Sequence, residues 1–181
     1  PVFNEEASLP LVLRALPADR VRRVVVVDNG STDRSAELAR EHGAVVVSEP
    51  RKGYGSACLA GIAALPEQCD TVAFLDGDYS DYPEDLVELL EPIERGAADF
   101  VVGSRMLRSE SRRALMPQAR FGNRLATILM RLLFGIRCTD LGPFRVIRRK
   151  ALDSLRMQDK DFGWTVEMQL RAKLRGLRVV E

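Results

Sequence analysis

One histidine stands in the 181 residues of this chain. It is His42, and its setting in "REHGA" predicts a helix end before a glycine cap. Histidine metal centres and Ser-His-Asp catalysis are excluded with it, so acid, base or ligand work falls to carboxylates. Cysteine is scarce too. Cys58, Cys69 and Cys138 are odd in number and far apart, which argues against a disulfide framework or a zinc ribbon and points to a reducing, cytoplasmic setting. No apolar run reaches the length of a membrane span, and no signal peptide opens the chain. Aromatic residues make up only 6% of the sequence. The basic stretch carries no reader motif and no interleaved exposed aromatics, so nucleic acid is not an expected partner.

Nor is there a large excess of charge: the formal net value is +1. The balance is nonetheless uneven. Residues 103–150 hold twelve Lys or Arg against Glu110 and Asp140, which leaves fifteen basic and twenty-four acidic residues elsewhere. Such a segment either attracts phosphates and anionic lipid headgroups or is a solvated basic face. What is present in quantity, 46% hydrophobic and 29% charged residues, describes one globular domain with room for a core.

Along the chain, "VRRVVVVDNGSTD" is a β-branched run ending in turn residues, with Ser31 or Thr32 placed to cap a helix running to about His42. "GAVVVSEP" repeats the strand, "GSACLAGIAAL" gives a helix, "DTVAFLD" a strand, "PEDLVELLEPI" a helix opened by Pro83, and "ADFVVGS" another strand. The alternation predicts an α/β fold, a mostly parallel sheet flanked by helices. "PVFNEEASLPLVLRAL" reads as a loop and helix without the strand that should feed them, and "LRVVE" reads as a strand. Both ends are therefore expected to lie inside a larger fold. Ligands of open α/β sheets sit beyond the carboxyl ends of the strands. Here those ends carry Asp28, "SEPRKGYG", "DGDYSD" and Arg105.

Asp76 and Asp78 flank Gly77, whose backbone freedom lets both reach one point. Two carboxylates so close raise each other's pKa unless a cation sits between them, and hard oxygen ligands suit Mg²⁺ or Mn²⁺. Asp81 and Asp85, by contrast, are accounted for as helix-capping acids. The loop of Lys52, Gly53, Tyr54 and Gly55 opens a helix, a common way to aim backbone N–H groups at an anion, though a plain turn fits equally. Arg105 at the end of "VVGSR" has the geometry for bidentate phosphate contacts, with Arg145 and Arg148 nearby.

The ordered set "PVFNEE", "VVVVDNGSTD", "RKGYGSA", "FLDGDYSDYPEDL", "VVGSR", "DLGPFRVIRR" and "GWTVEMQLRA" resembles the family-2 glycosyltransferases of the GT-A, Rossmann-like fold. Within them it is most similar to the polyprenyl-phosphate and dolichyl-phosphate hexosyltransferases of the cell envelope and their bacterial relatives. The resemblance covers nearly all of residues 1–181. It implies one catalytic domain with a nucleotide-sugar half, 1–103, and an acceptor half, 104–181. It also implies that Pro1, Phe3 and Glu5 line a nucleoside pocket, that Asp28 and Asn29 contact base or ribose beside Lys52 and Gly53, and that Asp76 meets the ribose or metal side. Asp78 would hold the divalent ion, Arg105 would face phosphates or acceptor, and Arg120, Asp140 and Arg145 would border the acceptor. Asn29 replaces the second acid of the family's "VDDGS", Ser80 stands where a glutamine is frequent, Pro143 is unusual, and the chain has no Q-x-x-R-W motif.

The implied reaction is metal-dependent, inverting transfer of a hexose from a UDP- or GDP-linked sugar to a polyprenyl phosphate or similar acceptor. The alternative is a non-catalytic binder of nucleotide sugar or lipid phosphate. A hydroxyl acceptor needs a general base, for which Asp161 or Glu167 in "DKDFGWTVEMQLRA" are the candidates, whereas an ionised lipid phosphate does not. Glu167 is equally placed to pair with Arg171 one turn on. "MPQARFGNRLATILMRLLFGI" reads as a helix with a wide apolar surface and a basic flank. It suits a peripheral contact with the inner face of a cell membrane, or else a core or homodimer helix.

Overall fold

A computed structural model describes residues 1–106, 117–136 and 138–181, with side chains in the helix that begins at Pro117 described from residue 122. The expected side chain of Arg120 lies outside the described residues. β1 (Val25–Asp28) and β2 (Val45–Ser48) pair in parallel. A second sheet has the spatial order β3 (Thr71–Phe74), β5 (Arg145–Arg148), β4 (Phe100–Val102) and β6 (Val179–Val180). β4 and β6 are parallel, while β5 runs antiparallel to both β3 and β4. The helices are α1 (Leu9–Ala15), α2 (Ser35–Glu41), α3 (Tyr54–Ala63), α4 (Leu86–Glu94), α5 (Pro117–Phe134), α6 (Arg149–Leu155) and α7 (Trp164–Leu174). A 3₁₀ turn, Pro83–Asp85, leads into α4.

The α/β layering agrees with the sequence pattern, and β5 is the addition. Its "RVIR" has only two apolar residues between arginines, yet Val146 and Ile147 are wholly buried. Side chains alternate across a strand. Ile147, Phe100, Val102 and Phe74 therefore face α3, α6 and α7, meeting Leu155, Trp164 and Met168. Val101 and Val146 face the other way, onto Leu86, Ile93 and Phe144. Val2, Leu9, Val26 and Ala39 form a third cluster that ties the opening residues to β1. Between β1 and β3 lies an apolar cavity of about 510 Å³, bounded by residues 24–27 and 71–74.

The direction of β5 decides where its arginines stand. Arg145, its first residue, pairs with Phe74 and Val102, the last residues of β3 and β4. An antiparallel strand thus delivers its start to the edge where Asp76 and Arg105 emerge.

Candidate active site

The opening loop is knotted to the turn after β1. Asn4, in left-handed backbone at φ 57°, donates its N–H to Ser31 Oγ at 3.0 Å and accepts the Thr32 N–H at 2.8 Å. The N–H groups of Glu5 and Glu6 donate to Ser35 Oγ and Asp33 Oδ2 at 2.7 and 3.0 Å. Ser31 and Thr32 therefore hold the first loop instead of capping α2, whose Ser35 N–H goes to Asp33 Oδ1 at 3.0 Å. Phe3 stays outside, 47% exposed, with Lys52 Nζ 4.7 Å from its ring centroid. The Glu5 carboxylate takes the Ser8 hydroxyl at 2.5 Å, and Asp28 Oδ1 closes its own turn on the Ser31 N–H at 2.9 Å.

Asn29 differs from its expected role toward a base or ribose. Its side chain is buried and turned onto the main chain of the next loop. Nδ2 donates to Glu49 O and Arg51 O at 2.8 and 2.7 Å, while Oδ1 accepts the Gly53 N–H at 2.9 Å. Only an amide supplies both donors and the acceptor. The departure from "VDDGS" is thus a loop staple. Asn29→Asp, which restores the family acid, is expected to lose roughly 2–4 kcal/mol of stability, because a carboxylate faces two carbonyls. Urea unfolding of the variant checks this.

The glycine loop also differs from an anion cradle. Gly55 and Ser56, at the start of α3, already donate their N–H groups to Asp161 O and Lys160 O at 3.1 and 2.9 Å. A Cβ at Gly53 would stand 2.2 Å from Lys160 O, and one at Gly55 would stand 2.2 Å from Asp159 O. These glycines are required for close approach of residues 159–161. The contact carries Asp161 to the Lys52–Gly53 side, with Asp161 Oδ1 only 2.7 Å from where a Gly53 Cβ would lie.

The acids form the second half of the site. Gly77 is needed for space: its Cβ would meet Val2 Cγ2 at 2.8 Å, and its φ is not positive. The two aspartates beside it are unlike. Asp78 is exposed, with Oδ1 accepting the Ser80 N–H at 3.0 Å around the left-handed Tyr79. Asp76 Oδ1 is shut off from solvent with no hydrogen-bond partner, and the carboxyl is raised to about 6, by desolvation first and by Asp78 in addition, against a hydrogen bond from Tyr54. Asp81 is the unexpected member. It caps nothing: the turn at Pro83 has Tyr82 as its cap residue and no side-chain cap bond. It is 8% exposed, Oδ2 lacks a partner, and desolvation raises it to about 7, with Asp76, Asp140 and Asp78 adding to the rise and Arg105 opposing it.

Their titration has opposite consequences for folding and for cation binding. Native pKa values of about 6 and 7 lie above the unfolded value, so the fold takes up protons between about pH 4 and pH 7. Ligand-free stability is therefore expected to fall as pH rises through that window, while affinity for a cation rises. Thermal scans of wild type and Asp81→Asn test this, the variant showing the shallower decline.

Asp81 lines a cavity of about 270 Å³ with Arg105, Ser104 and Phe144. Arg105 is clamped there by Asp140, itself wholly buried: Nε and Nη2 donate to the two carboxylate oxygens at 2.8 and 3.0 Å, and the Arg105 N–H adds a third bond at 3.0 Å. Expected to border the acceptor, Asp140 is instead found wholly buried, with both carboxylate oxygens on Arg105. Its own main chain is fixed by Gln169 Nε2 at 3.2 Å and by Glu181, which accepts the N–H groups of Thr139 and Asp140. Arg145 is a correction of the same kind. It is 1% exposed and donates to Gly142 O, Thr165 O and Leu141 O at 2.8, 2.8 and 3.1 Å, with burial pulling its pKa down to about 10. It braces the loop from beneath. Glu167 accepts from Gln158 N–H, Asp159 N–H and Arg171 Nε, the last at 2.7 Å, so its pairing with Arg171 is realised and its oxygens are engaged. Sequence reasoning passed over Gln169 and Glu181 and read Tyr54 only as part of the glycine loop; for Asp81 the third acid in "DGDYSD" was the available signal.

Two polar loops, one built on Asn29 and one on Asp76, Asp81 and Arg105, lie at the carboxyl ends of the strands, with Tyr54, next in the chain to the Gly53 that Asn29 holds, beside Asp76. The model of Glycosyl transferase family 2 matches residues 1–156. The chain belongs to that family. An uncharacterised family glycosyltransferase of Mycobacterium tuberculosis is 42% identical over 181 residues, all of this chain and 80% of that protein. An undecaprenyl-phosphate mannosyltransferase of Micrococcus luteus is 30% identical, over all of this chain and 79% of that one. Among solved structures, glucosyl-3-phosphoglycerate synthase from M. tuberculosis, in complex with phosphoglyceric acid, superposes with a TM-score of 0.81 at 25% identity, covering 99% of this chain. This chain spans 66% of that one. The same synthase has been crystallised with Mn²⁺, UDP-glucose and phosphoglyceric acid. The family-2 domain described here has the GT-A fold.

Proposed function

We propose that this domain transfers a hexose, with inversion, from a UDP- or GDP-linked sugar to a polyprenyl phosphate or similar phosphate-bearing acceptor, using a divalent cation. The observation that carries the reading is the pair of unpartnered carboxylate oxygens, Asp76 Oδ1 and Asp81 Oδ2, grouped with Asp78 and Arg105. Buried polar atoms are nearly always satisfied, so orphans at a strand end point to a ligand. Among the described residues no three His, Cys, Asp or Glu side chains converge to hold an ion alone. That fits Mg²⁺ or Mn²⁺, which take one or two carboxylates and complete their shell with substrate phosphates and water. Asp78 and Asp76 would hold the ion, which when bound neutralises charge on a diphosphate. Arg105, fixed by Asp140, presents a preorganised cation in the same cavity. Asp161 is the base candidate left by the engagement of Glu167, and an ionised phosphate acceptor makes a base unnecessary. The likeness to the Micrococcus mannosyltransferase favours the lipid-phosphate acceptor.

Calorimetric titration with UDP, GDP and their hexose conjugates, with and without Mn²⁺ or Mg²⁺, tests the donor half. Cation-dependent binding of one nucleotide is the expected result. Absence of binding under every condition would overturn the transferase reading in favour of a relict site.

A further inference from the structure

The sequence left α5 open between a core helix, a dimer helix and a membrane contact. The first of these is not what forms. Met130 is 3% exposed, and Asn123, seven residues earlier on the same side, bonds Thr139 O and Leu141 N–H at 2.9 and 3.0 Å. That is the inward stripe. Leu125, Ile128, Leu129, Leu132 and Leu133 are 49, 44, 45, 75 and 68% exposed. At 3.6 residues per turn they occupy one continuous outward face. Arg124 and Arg131, two turns apart and both exposed, run along one flank of it. The helix contains no Asp or Glu.

We propose that this face docks on an anionic lipid bilayer, leucines and isoleucine at the acyl boundary and Arg124 and Arg131 against headgroup phosphates. An apolar face edged by arginine is what binds in the interfacial plane. No described helix is long and apolar enough to cross a membrane, so the helix lies on the surface. A second copy is the poorer occupant. A two-fold contact through this face would bring arginines together with no acid on either helix to meet them. The bilayer supplies the missing negative charge. Docking would also have a direct route to the site, since Asn123 grips the main chain on both sides of Asp140, the residue that clamps Arg105. The surface is argued without donor or acceptor, so its test stands apart from the transferase reading.

The test is flotation of the full chain with vesicles of phosphatidylcholine alone or mixed with phosphatidylglycerol, at ~0.1 and ~0.5 M NaCl. Partition onto the anionic vesicles, weakened by salt, is expected, with a loss of at least ~10-fold in Leu132→Glu/Leu133→Glu. Those two side chains already face solvent, so an unchanged melting temperature shows that the variant is folded. Arg124→Glu/Arg131→Glu is expected to remove the anionic preference. Equal binding to neutral vesicles would overturn the role of the arginines. A folded wild type that ignores both vesicles would overturn the docking surface, and a dimer in sedimentation that Leu132→Glu/Leu133→Glu dissociates would assign the face to a second copy.

Discussion

Asp78→Ala is expected to reduce cation-dependent nucleotide affinity by at least ~100-fold, beyond what loss of a neighbouring group that only orients a ligand costs. The effect on folding is expected to be small. Asp78 is exposed, and its one described bond, to the Ser80 N–H at 3.0 Å, lies inside its own turn. Loss of that contact costs about 1 kcal/mol or less. The variant therefore separates binding from stability, which Asp76 and Asp81 do not, because their substitution also removes a buried carboxyl. Calorimetry with Mn²⁺ and the preferred nucleotide provides the reading. Wild-type affinity in the variant would remove Asp78 from the cation site and leave the orphaned oxygens of Asp76 and Asp81 as the candidate anchors among the described residues.

Arg145→Leu is expected to show the reverse profile, with a loss of about 3–5 kcal/mol in urea unfolding. Leucine fills part of the volume but leaves the carbonyls of Leu141, Gly142 and Thr165 without the donors that now reach them. Asp140 also loses the nearby positive charge that Arg145 supplies from below. Arg145→Lys is expected to recover only part of the loss, since one ammonium replaces a planar fork that spans three carbonyls. A variant as stable as wild type would show that the 141–142 loop is held by Asn123 and Gln169 alone.

These two arginines illustrate what the sequence reveals and what it withholds. Arg105 and Arg145 look alike in "VVGSR" and "GPFRV"; the first was expected to face phosphates or acceptor and the second to border the acceptor. Chain order does not show that β5 inserts between β3 and β4. That insertion buries Arg145 under the loop and leaves Arg105 only partly buried beside Asp140. The strand itself was illegible because arginines bracket its two apolar residues, and its burial comes entirely from partners distant in the chain. The strand–helix alternation and the placing of acids at strand ends were legible, because they depend on local pattern. Asn29, Gly53 and Gly55 were legible as unusual residues at a site, but their reasons are contacts with residues 49–51 and 159–161. Asp81 was misread for a similar cause: a cap is a local explanation, and its actual environment is set by Arg105, Asp76 and Asp140.

The latch between Ser56 and Lys160 joins residues 104 apart in sequence. Contacts of such separation carry the largest loop-closure entropy and form after local ones have been made. The start of α3 therefore waits for residues 159–161 before its first amides find carbonyls. A ribosome-bound chain halted before residue 159 would hold Asp76, Asp78, Arg105 and Asp140 and still lack one wall of the cleft.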